Sequence, residues 1–392
     1  MAHYPYLIVG GGMAAGAAIR GIREVDPAGA IGVIGSEAHP PYQRPPLSKG
    51  LWKGKPLQRI WIDVGKQGVD LMLGRTAQTL DTANKRVVDD QGAVYTFDRL
   101  LLATGGVPRH FPWDGDAVIY YRTLDDYQRL RALAERSQRF AVIGGGFIGS
   151  EIAAALAMNG KEVVMIFPEA GISQHLFGPE LAAFLNTYYR ERGVEVLPGE
   201  TVQGLEQRGE TKVLQTTGGR EILVDGVVAG IGITPNSALA QAAGLTVDDG
   251  VVVDELLRTS HPDIYAAGDV ANFPNPALGR RIRVEHEDNA NTMGRHAGRT
   301  MAGEQVPYKH LPFFYSDLFD LGYEAVGLLD ARLEMVADWQ EPFRTGVVYY
   351  LGDGRVRGVL LWNVWDQVDA ARRLIAEPGP FRAADLSGRL PA

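Results

Sequence analysis

One glycine-rich turn occurs twice in this chain, as LIVGGGMAAGAAI at 7–19 and as AVIGGGFIGSEIA at 141–153. Each copy leads a short apolar run into a G-x-G-x-x-G/A turn and then into a run of helix-forming residues. YLIV at 6–9 reads as a buried parallel strand, 13–25 as a helix and AIGVIG at 30–35 as the next strand. The second copy gives a strand at 140–144, a helix over 148–159 and a strand EVVMIF at 162–167. Two βαβ units follow, and with them two parallel sheets. In the first turn Gly10 permits the bend, Gly12 lets a phosphate approach the backbone, and Ala15 lets helix and strand pack closely. Gly144, Gly146 and Gly149 repeat the pattern. An acid is expected after each second strand, to accept hydrogen bonds from ribose hydroxyls; Glu37 and Glu169 stand there. Two dinucleotide sites are therefore predicted. Glu169 would repel a 2′-phosphate, and FPEAGISQH at 167–175 holds no arginine, so NADH is expected over NADPH.

The rest of the chain interrupts these units. PPYQRPPLSKG at 40–50 is a proline-stiffened loop. RLLLATGGVPR at 99–109, VDGVVAGIGITPN at 224–236 and DIYAAGDVAN at 263–272 read as short buried strands ending in turns. Beyond about 308 apolar and aromatic residues alternate, and a hairpin is expected to turn at Gly352-Asp353-Gly354, followed by a helix in DQVDAARRLIA. The fold class expected is α/β: two Rossmann-like dinucleotide-binding domains and a C-terminal α+β domain with a mainly antiparallel sheet. The first nucleotide domain is split into 1–112 and 245–307, the second spans 113–244, and 308–392 forms the C-terminal interface domain, with a homodimer as one outcome.

The 392 residues contain no cysteine. That excludes a disulfide, a Cys-ligated metal centre and thiol catalysis. The eight histidines form no metal-binding pattern, and the formal net charge of −8 argues against a nucleic-acid partner. No apolar run approaches a membrane span, and the N-terminus enters a strand without a signal-peptide pattern, so a cytoplasmic location is expected.

Further motifs, PPYQRPPLSKGLW, LLLATGGVPR, GIGITPN, IYAAGDVAN, RRIRVEHEDNANTMGRHAG, YSDLFDLGYEAVGLLD and VLLWNVWDQVDAARRLI, complete a pattern. The chain resembles the two-dinucleotide-binding-domain flavoproteins, and within them apoptosis-inducing factor and the bacterial NADH:ferredoxin reductases. The resemblance implies FAD in the first domain and NAD(H) in the second. It implies FAD contacts from Gly10, Gly12, Ala15, Glu37, Arg44, Lys49, Thr104, Gly105, Gly268, Asp269, Glu285, His286 and Trp362. NAD contacts would come from Gly144, Gly146, Phe147, Ile148, Gly149, Glu169 and Gly232.

Catalytic roles are implied for Lys49, Glu151, Phe147, His286 and Trp362. Lys49 would pair with Glu151 and favour reduced flavin; Phe147 would cover the nicotinamide; the helix start at Glu285 and His286 would face the flavin pyrimidine; Trp362 would lie beside the ring. Each has a plainer alternative: a surface lysine, an ordinary helix acid, a core aromatic, a structurally bonded histidine, a core tryptophan. Arg44 is open between FAD phosphate, flavin edge and solvent. With no thiol to receive them, electrons would leave the flavin for an external acceptor. A ferredoxin-type iron–sulfur protein comes first, and Lys49, Lys53, Lys55 and Arg59 could form a basic rim for it. The alternatives are a quinone, a small one-electron acceptor, or an NADH-responsive redox sensor with slow turnover.

Overall fold

The computed structural model describes residues 1–65, 68–113 and 117–391. Its contacts divide the chain into two compact units. One comprises Met1–Arg44, Gln58–Val107 and Thr234–Phe313; the other comprises Pro45–Leu57, Pro108–Ile233 and Phe314–Ala392. The loop segment Pro45–Leu57, which lies inside 1–112 by sequence, thus groups with the second unit.

In the first unit, Val69–Leu73, Ile31–Gly35, Ala2–Val9 and Val94–Leu102 line up as parallel neighbours, and Ile264–Ala266 joins Val94–Leu102 in parallel. The register sets Val9 beside Ile34 and Leu102, and Leu102 beside Ala266, so the strand ends are level. The strands are continuous apolar runs because both faces are buried. A ligand crevice is expected at such level carboxyl ends, where strand order reverses.

The helix Met13–Val25 leaves the first strand and packs on the helix Glu287–Met301. Their contact is a seam of small residues. A Cβ on Gly294 would lie 2.3 Å from the Ala14 carbonyl, and one on Gly298 would lie 2.1 Å from that of Ala18. The pairs advance together, so the helices run parallel. Helix 287–301 starts seven residues before its contact and helix 13–25 only one, so the former extends about 9 Å further toward its N-terminus.

In the second unit, Val194–Pro198, Glu162–Phe167, Arg139–Ile143, Gly226–Ala229 and Val118–Tyr120 form a parallel sheet in that order. The helix Phe147–Met158 follows its central strand. An antiparallel meander, Val202–Arg208, Thr211–Thr216 and Glu221–Val224, branches from it. The C-terminal sheet runs Phe313–Leu318, Leu321–Gly327, Arg355–Trp362, Thr345–Gly352, Glu334–Glu341, and the helix Val368–Ala376 packs on it. Its central hairpin turns at Asp353 and Gly354, both in the left-handed region (φ 55° and 69°), as the Gly-Asp-Gly sequence demands. The expected fold class holds. Among the described residues no helix is long and apolar enough to cross a membrane.

Candidate functional site

The first turn is a backbone cradle. Gly10 sits at φ 116°, and a Cβ there would lie 2.1 Å from the Ala103 carbonyl oxygen, so glycine alone fits. Gly12 caps helix 13–25 without a side-chain bond, which leaves its first N–H groups to meet an anion. A Cβ on Gly12 would meet only Arg44 Nη2, at 3.8 Å. Ala15 is fully buried against the strand.

Glu37 and Arg44 meet beside this helix end. Arg44 Nη2 donates to Glu37 Oε1 at 2.5 Å, Tyr42 OH donates to Glu37 Oε2 at 2.5 Å, and Arg44 Nη1 donates to Tyr42 OH at 3.1 Å. Burial pulls the Arg44 pKa down, but Tyr42, Glu37 and Asp269 more than offset it, and the net shift is upward. The guanidinium is therefore a fixed cation beside the helix start at Gly12. Asp269 is buried just after Gly268, whose φ is 80°.

His286 caps helix 287–301. Burial pushes it down to about 4 against the pull of Asp269 and Asp288, so it is neutral at pH 7. Glu285 is exposed and accepts from Arg283 Nη1 at 2.7 Å. Thr104 abuts the first turn, its backbone nitrogen 3.0 Å from where a Cβ on Gly10 would lie; its hydroxyl donates to the Asn236 carbonyl at 2.7 Å, and the Gly105 carbonyl accepts from the Asn236 N–H at 2.9 Å.

The second turn repeats the cradle. Gly144 has φ 114° and a Cβ there would lie 2.4 Å from the Gly230 carbonyl; one on Gly149 would lie 2.0 Å from the carbonyl of Gly144. Gly146 caps helix 147–158, and a Cβ there would meet nothing within 4 Å. Ile148 packs against Gly230, and Gly232 (φ 89°) is equally open. Glu169 is exposed at the strand end. Phe147 stands edge-on to Phe314, with centroids 5.2 Å apart.

Also within the second unit, Lys49 Nζ lies 2.6 Å from Glu151 Oε1, with side chains 13% and 4% exposed. Ser48 donates to Glu151 Oε2 at 2.5 Å and Ser316 donates to Oε1 at 2.6 Å. The lysine also lies 5.2 Å from the Tyr315 ring centroid. A buried carboxylate so fully satisfied holds its partner in one place; removing either charge would strand the other, at a cost of about 3–5 kcal/mol. Ser48, Ser316, Tyr315 and Phe314 were not legible as site residues. Trp362 is fully buried, stacks on Tyr323 at 5.5 Å and donates its N–H to the Phe343 carbonyl at 2.9 Å. Its polar edge is thus spent inside the C-terminal sheet.

Comparison with known proteins decides the family. The model described as pyridine nucleotide-disulphide oxidoreductase matches residues 4–294, and that of the apoptosis-inducing factor C-terminal region matches 297–342 and 337–377. The chain belongs to the pyridine nucleotide-disulphide oxidoreductase family. It is 36% identical over 370 residues to the ferredoxin reductase subunit of the 5,5'-dehydrodivanillate O-demethylase of Sphingobium sp., covering 91% of this chain and 89% of that one. It is 35% identical over 395 residues to the ferredoxin–NAD(+) reductase component of the anthranilate 1,2-dioxygenase system of Burkholderia cepacia, covering 97% of each. The crystal structure of a covalent putidaredoxin reductase–putidaredoxin complex superposes with a TM-score of 0.89 at 30% identity, over 96% of this chain and 94% of that one.

FAD and NAD(H) are the cofactors of this oxidoreductase, and the residues present fit them. The first cradle offers an unfilled helix start, the Arg44 cation, a carboxylate for ribose and a second helix start about 9 Å further along, which suits a long dinucleotide with an electron-accepting ring. The second offers open backbone at Gly146 and a free acid. The family name includes disulphide chemistry, but a chain without cysteine has none.

Proposed function

We propose that this oxidoreductase takes electrons from NADH and delivers them to a ferredoxin-type iron–sulfur protein. The observation that carries this is the pairing of two complete dinucleotide cradles with a total absence of cysteine. The names of its relatives point to the same acceptor class. Bound FAD would supply a ring that accepts two electrons together and releases them singly.

The chain's own residues then do the following. The helix start at Gly12 and the Arg44 guanidinium hold phosphate, and Glu37 accepts from ribose. Asp269, fixed just beyond its strand, would accept from sugar hydroxyls of bound FAD. The helix 287–301, with neutral His286 at its start, would offer N–H groups and a positive dipole end to negative charge on the ring. Lys49, held by Glu151, is the cation we assign to favouring the reduced flavin. Gly146 and Glu169 bind the nicotinamide dinucleotide, and Phe147 screens it from water. The cytoplasmic location expected from the sequence stays part of this proposal, as does the domain division drawn there.

Mixing NADH-reduced protein with a small panel of ferredoxins, in the absence of air, tests the acceptor. Reoxidation by one of them within seconds supports the proposal. The match to the apoptosis-inducing factor C-terminal model favours a second reading, a slowly turning redox sensor. Reduced protein that persists against every ferredoxin and quinone, and changes its oligomeric state, would replace the first reading with the second.

A further inference from the structure

The strand ends that carry Glu169 carry a second acid. The Glu169 carbonyl accepts from the Gly199 N–H at 3.0 Å, and the next residue, Glu200, donates its N–H to the Phe167 carbonyl at 3.1 Å. Glu200 therefore stands on the same ledge as Glu169. Its side chain is tied down: Oε2 accepts from the Gly218 N–H at 3.0 Å, and Oε1 from Arg220 Nε at 3.2 Å. Bonds from the Thr216 side chain, then from Gly218, keep this carboxyl below its ordinary range.

Arg220 belongs to the turn between the meander strands Thr211–Thr216 and Glu221–Val224. That turn is pinned to the ledge, since Thr217 N–H donates to the Thr201 carbonyl at 2.9 Å and Thr201 N–H to the Thr217 hydroxyl at 3.1 Å. The side chain is 57% exposed, against 15% for Glu200. Its Nε is engaged, while its two terminal nitrogens meet no hydrogen-bond acceptor among the described residues. A planar pair of N–H donors facing solvent is the group that grips a phosphate. The sequence segment after the second strand has no such arginine; the meander supplies one from 51 residues beyond Glu169.

We propose that Glu200 is a second specificity-determining residue of the nicotinamide dinucleotide site, acting by neutralising Arg220 and so disfavouring a 2′-phosphate. This rests on the assignment of the second glycine turn to NAD(H). Glu169, Glu200 and Arg220 together carry a charge of −1. Glu200→Gln raises the sum to 0 and keeps an acceptor for the Gly218 and Thr216 bonds. Arg220→Ala lowers it to −2. The double variant returns it to −1. Against a phosphate of about two negative charges, each step changes affinity by about fivefold at moderate salt.

The test is calorimetric binding of 2′,5′-ADP and of 5′-AMP to the FAD-loaded protein and these three variants, which needs no turnover. The preference for 2′,5′-ADP should rank Glu200→Gln first, the wild type and the double variant together, and Arg220→Ala last. The steps should shrink in high salt. A Glu200→Gln protein whose preference stays within twofold of the wild type would overturn the proposal. So would a double variant that keeps the full gain, since Arg220 would then play no part. If 5′-AMP fails to bind the wild type, the assignment of the second turn falls, and this inference with it.

Discussion

The two cradles share a backbone and differ in what surrounds it. In the first, Glu37, the acid proposed to meet ribose, is already gripped by Tyr42 and Arg44, and a cation stands fixed beside the helix start. In the second, the corresponding acid Glu169 is exposed, and the space around Gly146 is open. Preorganised groups bind tightly because little ordering remains to be done; exposed ones release easily. Under the proposed function, the first cradle would keep its nucleotide and the second exchange it. That is the division of labour needed by a protein that holds one redox cofactor and consumes another.

The largest contrast should come from the glycines. Gly10→Ala combines a left-handed backbone with a carbonyl at 2.1 Å, and should destabilise the first unit by more than about 3 kcal/mol and yield colourless protein. Gly146→Ala meets no protein atom, so the variant should melt normally and stay yellow while binding NADH about tenfold more weakly. Melting curves and flavin content separate the two; equal losses in both would erase the contrast.

Acid should act on the first unit through His286. Its folded pKa, about 4, lies below its ordinary value of 6.5. Between those values the unfolded chain binds the extra proton, so stability falls as pH falls, by up to about 3 kcal/mol. Urea unfolding at pH 7 and pH 4.5 measures this, and His286→Asn should flatten the difference. A variant with the wild-type slope would remove His286 from the account.

The paired acids give the next step. Glu37→Gln loses charge-assisted bonds to Arg44 and should cost about 2 kcal/mol in FAD retention, read by dialysis against potassium bromide. Glu169→Gln should leave flavin in place and raise the Kd for NADH by about fivefold. Flavin loss from the second variant would show that the cradles are not separate in function.

Sequence patterning exposed the cradles because they are local. Helix 13–25 begins and ends where its pattern does, and the hairpin at Asp353-Gly354 turns where left-handed residues were written. The helix expected over 148–159 spans Phe147–Met158. The surroundings were less legible because they are assembled from afar. Ser48 and Ser316 reach Glu151 across 103 and 165 residues, and no spacing rule joins them. The grip of Tyr42 on Glu37 needed the loop's actual path. Arg220 was not legible beside Glu169 because it comes from the meander, 51 residues further along the chain. Trp362, in the run VLLWNVW, has the burial its apolar neighbours foretold, and its N–H is consumed inside the sheet.

Stepwise NADH addition to the air-free yellow protein, followed by flavin absorbance, tests the central claim most directly. With one tightly kept flavin and no thiol pair behind it, bleaching should be complete at about one NADH per FAD. An endpoint near two, or a spectrum that NADH leaves untouched, would contradict it.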